Sequence, residues 1–498
     1  MEGLIRMYRG ITISILSLTL GGCATSSLFS SYPNQAEVFQ QAITSSNPHS
    51  QVTDNQATVN PASGGDFVPV QVTEVHMTAD QKNVKNALTE LNEERESADA
   101  MLYMMERGRI NQLNSFFEGS KTDFQLVISK FEEQDLAATV EVSDLGAQGS
   151  SLLVNDNVIP YKGAGYERIF THHHQAFNYL GEHDLEGASV EFRKVALEQR
   201  ILLEKHETEV AEAYEDAEEN NVDISTLSQE FTGLDTVAGK VKSSFQNAYT
   251  FYASAAFWES IGEFNSALVD YKKAFEINPN NQLLKQDIAR LSKKLGDRPK
   301  RKDLNEPLNG QGTVVVFFED GFVPAKSEIK IPLPTFDGGF FSIAFPYYDT
   351  SQWPVSAPLK AMDDEFNELA LSETVVDVGA LAVKDLKEQI PALLVRQTLR
   401  AAAKYELQRQ AGNSGGSLGQ ITASLYNVIS ESADRRSWLT LPHTVQVMRF
   451  NLDEGDRVIS FSTAVSQTEL SLNIKAKRTL FVRVVNANNR LVTQVYAL

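Results

Sequence analysis

The spacing of apolar positions changes character twice along the 498-residue chain. Residues 24–78 are rich in Ser, Asn, Gln and Thr, with Pro33, Pro48 and Pro61 among them, and only 37–43 shows a helical grouping. A segment so polar cannot bury enough apolar surface to offset its ordering entropy, so residues 23–78 are predicted to form a disordered tether. From Asp80 the apolar residues fall three and four apart, through Val84, Leu88 and Leu91 and again from Ala100, which is the period of helices with one buried face. That period persists to about residue 297, where a basic, proline-punctuated linker, 298–311, ends it. Runs of β-branched and aromatic residues between Gly, Pro and Asp turns then predict strands at 314–318, 327–332, 340–347, 444–450, 457–462, 470–474, 480–485 and 491–496. Asn488-Asn489 reads as a hairpin turn. Helical spacing returns at 378–410 and 419–432, a helix-hairpin insert within 378–432. Pro391 removes one hydrogen bond from its first helix. Arg396, Arg400 and the shortness of the apolar run 390–403 argue against a membrane span.

The most informative stretch is 248–281, which has the spacing of a tetratricopeptide (TPR) repeat. Small residues, Ala255 and Ala267, sit where two antiparallel helices approach closely. Phe251, Trp258, Phe264 and Tyr271 are the large residues that fill gaps, Gly262 separates the helices, and Pro279 ends the second. One such repeat cannot bury its own apolar face and needs neighbours. Residues 102–131 match more loosely, with Gly108, Ser120, Phe124 and Val127 in the places of Ala255, Ala267, Tyr271 and Ala274. A third match starts at Tyr166 and includes Leu185, Ala188, Phe192 and Val195, with a turn after Gly181 that reads as two residues too long and a second helix running on to about Glu219. Residues 281–295 read as a capping helix. The predicted class is therefore α+β: a TPR-like solenoid over 79–297, then a β-sandwich-like domain of short antiparallel strands over 312–498.

A formal net charge of −20 argues against a nucleic-acid partner and against general affinity for anionic lipid. The single cysteine, Cys23, excludes an internal disulfide and a cysteine-cluster zinc site. Arg6 and Arg9 precede an apolar run at 11–20, and Leu20-Gly21-Gly22-Cys23 follows. This resembles a bacterial lipobox. The resemblance implies a signal peptide over 1–22, cleavage before Cys23, a diacylglycerol carried on its thiol with three acyl chains in all, palmitate among them, and, because Ala24 rather than aspartate follows, an outer-membrane address facing the periplasm. The plainer alternative is an ordinary signal peptide with an incidental cysteine.

Two constellations suggest chemistry. Gly412-Asn413-Ser414-Gly415-Gly416 spells G-x-S-x-G, and Asp434 and His443 follow in hydrolase order, but a nucleophile elbow must follow a strand and Ser414 follows a helix. His172, His173 and His174 point about 100° apart on a helix and so do not converge on one metal ion. Residues 412–419 lack the preceding strand and following Lys-Ser/Thr of a phosphate loop, and the basic run 298–302 reads as a solvated linker. No catalytic, cofactor or metal residue is assigned.

Taken together, Tyr103 to Arg109 (YMMERGR), the central repeat, residues 312–328 (GTVVVFFEDGFVPAKSE) and 433–442 (ADRRSWLTLP) resemble an uncharacterised family of TPR-containing bacterial envelope lipoproteins. The resemblance implies an envelope scaffold or adaptor without assigned activity, loosely associated with lipoproteins that regulate penicillin-binding proteins. A glycan- or peptidoglycan-binding β-domain is the alternative function. In a TPR stack, positions 2, 5, 9 and 12 of the first helix face the concave surface. Those positions here are Tyr249, Tyr252, Ala256 and Glu259, with Leu102, Met105, Arg109 and Gln112 in the looser first repeat. Tyr249, Tyr252, Glu259, Met105 and Arg109 are thus the expected contacts for a protein partner, unless the long helix or the β-domain fills the groove and makes the tyrosines core.

Overall fold

The computed structural model describes residues 39–40, 43, 98–141, 156, 159–220, 231–297, 304–334, 340–412 and 432–498. Cys23, nearly all of the predicted tether, Ser414 and the second helix of the insert lie outside the described residues. Helices come first and strands after, so the chain is α+β. Three helical hairpins form the first layer: α1 (Ala100–Leu113) with α2 (Phe117–Glu141), α3 (Gly165–Gly181) with α4 (Leu185–Glu219), and, after a short α5 (Thr232–Ala238), α6 (Ala248–Ser260) with α7 (Phe264–Ile277). An eighth helix, α8 (Gln282–Lys294), packs on α7.

The hairpins close alike. The amides of Phe116, Asp184 and Glu263 donate to the carbonyls of Asn111, Tyr179 and Trp258, each five residues back, and Ser115, His183 and Gly262 before them take left-handed φ of 63°, 60° and 87°. Such a residue past a helix end satisfies carbonyls that would otherwise lack partners. All three turns therefore have the same length, and the two extra residues read after Gly181 are not there. Small residues keep the helices close: a Cβ on Gly108 would meet the Phe124 ring at 3.0 Å. Starts are fixed by side chains, Asn247 accepting from the Tyr249 amide at 3.0 Å and Asp184 from Gly187 at 2.8 Å.

The strands are β1 (Gln311–Phe322), β2 (Ser327–Pro334), β3 (Phe340–Tyr347), β4 (Lys360–Met362), β5 (Glu368–Leu371), β6 (Glu373–Asp377), β7 (Pro442–Asp453), β8 (Gly455–Ser462), β9 (Gln467–Ile474), β10 (Thr479–Ala487) and β11 (Arg490–Ala497). A five-stranded sheet runs β11-β10-β1-β7-β6, a four-stranded sheet runs β5-β4-β8-β9, and β2 pairs with β3. The long helix α9 (Val378–Gly412) follows β6 and packs on α4 and α5. The expectation of wholly antiparallel strands is corrected at the centre, where β1 and β10 are parallel.

Because side chains alternate across a strand, β1 serves two cores. Val314, Val316 and Phe318 pack with Met448, Phe461 and Val482 between the two sheets, whereas Val315 and Phe317 join the helical core. The result is three layers: helices, five-stranded sheet, four-stranded sheet. Burial of both faces explains the unbroken apolar run Val314-Val315-Val316-Phe317-Phe318.

Candidate functional site

The inner side of the helical hairpins is where sequence pattern and topology converge. Their common turn geometry puts Leu102, Met105, Arg109 and Gln112 of α1 in register with Phe170, His173, Phe177 and Leu180 of α3 and with Tyr249, Tyr252, Ala256 and Glu259 of α6. The groove these residues line is not open. Phe317 of β1 enters it, its ring 5.7 Å from Phe177, 5.7 Å from Tyr249 and 6.3 Å from Tyr252. Tyr249, Tyr252, Met105 and Arg109 are at most 1% exposed, and the Glu259 side chain is 9% exposed. All five residues expected to contact a partner are thus interior, because the helix-facing side of the five-stranded sheet covers them. Of the two readings of the tyrosines, the structure carries the one in which the β-domain makes them core.

Polar side chains span this interface in two clusters. In the first, the fully buried carboxylate of Glu319 on β1 accepts from Arg109 and, at 3.2 Å, from the Tyr249 hydroxyl, and lies 3.3 Å from Nε of Arg483 on β10. Arg483 Nη1 donates to Gln112 Oε1 at 2.8 Å, and Gln494 Nε2 on β11 donates to the Gln112 carbonyl at 2.7 Å. The Arg483 guanidinium also covers the Phe177 ring at 4.1 Å. In the second cluster Glu259 accepts from Arg449 on β7, at 3.0 and 3.2 Å, and from Arg290 on α8. Asp287 accepts from the Tyr252 hydroxyl at 2.9 Å and from Arg290 at 2.8 Å. Burial alone would raise the Glu259 pKa, but Arg449 and Arg290 overcome it and hold the carboxyl down at about 2.

A third contact is made by an extended stretch of the chain's own backbone. The amides of Trp438 and Leu439 donate to the buried carboxylates of Glu167 on α3, at 2.7 Å, and Glu106 on α1, at 2.6 Å. Arg436 donates to Asp99 at 2.9 Å and to the carbonyls of Ile159 and Asp156. The Trp438 ring is fully buried between Phe124 and His174, with centroids 5.8 and 5.6 Å away. The sequence stretch ADRRSWLTLP thus docks onto the first two helical hairpins as a peptide ligand would, in the same chain.

The histidines diverge, as the helical geometry predicts. His172 Nδ1 is 2.7 Å from Glu191 Oε2, His173 packs against Tyr249 at 4.5 Å, and His174 faces Trp438. Burial, then the Arg483 and Arg109 guanidiniums, pushes the His173 and His174 pKa values well below the ordinary range. No group of three metal-ligating side chains occurs among the described residues. Of the hydrolase constellation, Asp434 ion-pairs with Arg436 at 2.7 Å, while His443 packs edge-on against Trp353 at 5.0 Å. The element before residue 414 is helix α9, not a strand.

Sequence reasoning missed Glu319, Arg449 and Arg483. The available signal was a lone charge inside an apolar strand, which is costly unless a partner is buried with it. No family model, curated protein or solved structure matches this chain.

Proposed function

We propose that the chain is a non-enzymatic scaffold of the bacterial envelope, anchored in the outer membrane through acylated Cys23 and facing the periplasm. In this reading a TPR-like array holds a β-sandwich-like domain in its own groove and recruits protein partners through its outer surface. The observation that carries it is the burial of Tyr249, Tyr252, Met105 and Arg109 in the chain's own core, which removes the inner face of the helices and directs a helix-borne partner to their outer faces. Helix α4 is one such face. Its 35 residues extend about 50 Å at 1.5 Å per residue, and Val190 and Tyr214 along it are 44% and 52% exposed. The anchor is supported by Leu20-Gly21-Gly22-Cys23 after an apolar run.

In-cell photo-crosslinking tests the docking claim. A crosslinking residue at Val190 or Tyr214 captures a discrete envelope protein, and one at Tyr252 captures only the chain itself; capture of a partner from Tyr252 alone would reverse the assignment. Cys23→Ser releases the protein from membranes, and continued fractionation with the outer membrane refutes the anchor. Loss of a measurable hydrolysis in a folded Ser414→Ala variant would make the protein an enzyme instead.

A further inference from the structure

Outside the interface, side chains of α4, α6 and α7, with Lys242 and Gln246 before α6, line a cavity of about 710 Å³. Residues 193, 196, 197, 200 and 203 of α4 line it. Their offsets of 3, 4, 7 and 10 place them along one helix face. Its wall is apolar: Ala196, Leu197 and Leu203 from α4, Phe251 from α6 and Ile277 from α7. Leu197 and Leu203 are 44% and 47% exposed, so the wall faces solvent.

Its charge is opposite to that of the molecule. Arg193, Arg200, Lys242 and Lys273 line the cavity against the single lining carboxylate Glu276, in a chain of net charge −20. Three of these cations contact apolar or neutral groups. The Arg193 guanidinium lies 4.9 Å from the Trp258 ring centroid, the Lys273 ammonium 5.1 Å from that of Phe251, and Lys242 donates to the Glu276 carbonyl. Lys273 also donates to Asp270 at 3.5 Å, and Arg200 forms a loose, solvent-exposed pair with Glu204 at 4.0 Å.

We propose that this cavity binds a single-chain amphipathic anion, a carboxylate or phosphate head on one acyl chain. The volume suits a ligand of that size, and apolar walls with a few fixed charges are the usual form of such sites. The acyl chain lies on Leu197, Leu203 and Ile277, and the head meets Arg200 and Lys242. A fatty acid and a lysophospholipid share this chemistry. The inference is independent of the scaffold reading, since it needs neither the anchor nor a protein partner.

Titration calorimetry on the full chain carrying Cys23→Ser, so that no detergent is needed, tests it with four probes. Laurate or lauroyl lysophosphatidylglycerol saturates one site per chain, and the tighter of the two identifies the natural source. Dodecyltrimethylammonium, with a similar chain and the opposite charge, and inorganic phosphate, a head without a chain, each bind at least tenfold more weakly. Arg200→Glu with Lys242→Glu weakens laurate at least tenfold without lowering the melting temperature, and Leu197→Asp does the same from the apolar wall. Equal binding of the cationic surfactant, equal binding of phosphate, indifference to both variants, or no saturable binding of either lipid would each overturn the proposal.

Discussion

Arg449 and Glu259 meet in a two-pronged ion pair across the helix–sheet interface, Nη1 to Oε2 at 3.0 Å and Nη2 to Oε1 at 3.2 Å. Arg290 completes the arrangement from α8, so one carboxylate serves two buried guanidiniums. Glu259→Gln leaves the two guanidiniums to share the single carboxylate of Asp287, 2.8 Å from Arg290 and 3.8 Å from Arg449, and is expected to destabilise the fold by about 3 kcal/mol in urea unfolding. The same pair sets an acid limit. The folded carboxyl, held at about 2, lies below its unfolded value of about 4.5, so its contribution is full above the unfolded value and is lost as pH falls toward 2. The Gln variant should show a flatter loss of stability over that window.

His173 and His174 give a second dependence, at higher pH. Both are neutral in the fold and take up protons once unfolded, so stability declines as pH drops below about 6.5. Two such groups contribute at most about 2.7 kcal/mol per pH unit. The double variant His173→Phe, His174→Phe should lose less than half as much urea midpoint between pH 7.5 and 5 as the parent chain; an unchanged slope would remove the imidazoles from the account.

Asp385 on α9 behaves oppositely. Burial raises its carboxyl to about 7, with the nearby charges of Glu167 and Glu388 adding to the rise and Lys326 opposing it. The folded group keeps its proton where the unfolded one has lost it, so stability falls as pH rises from about 4 to 7. Asp385→Asn is expected to raise the melting temperature by about 2–4 °C at pH 8 and to change nothing at pH 4, measured by thermal unfolding.

Trp438 fills a pocket on the helical layer from an otherwise irregular stretch. Trp438→Ala should cost about 3–5 kcal/mol, the range for a large buried aromatic. Trp438→Phe should recover part of it, because its ring refills much of the pocket beside Phe124 and His174, while the amide bonds to Glu167 and Glu106 survive either change.

Periodicity made most helices and the longer strands legible, and the lengths of the misread parts explain themselves. Strands β4, β5 and β6 have only three to five residues, too few for alternation to register. The turn at His183 was misread because a left-handed position without glycine carries no local marker. The apolar run ends at Phe318, where the predicted strand stops; β1 in fact runs on to Phe322, and Arg109 meets the Glu319 carboxylate. Tyr249, Tyr252 and Glu259 do lie along the buried side of one helix. A period reports that a face is buried or exposed by pattern, but not which distant element covers it, and here the cover arrives from strands more than sixty residues further along.

The bond from Gln494 to the Gln112 carbonyl joins residues 382 apart in the chain. At roughly 5–20 residues per second, a ribosome needs about 20 to 80 s to make the residues between them. Phe317 can reach the inner wall of the helices well before that, but the side of Phe177 that meets Arg483 and Tyr496 waits for nearly the whole interval. A nascent chain with Phe177 partly uncovered for so long is a client for a holding chaperone, and a truncation that deletes β10 and β11 should aggregate rather than persist as a free helical domain.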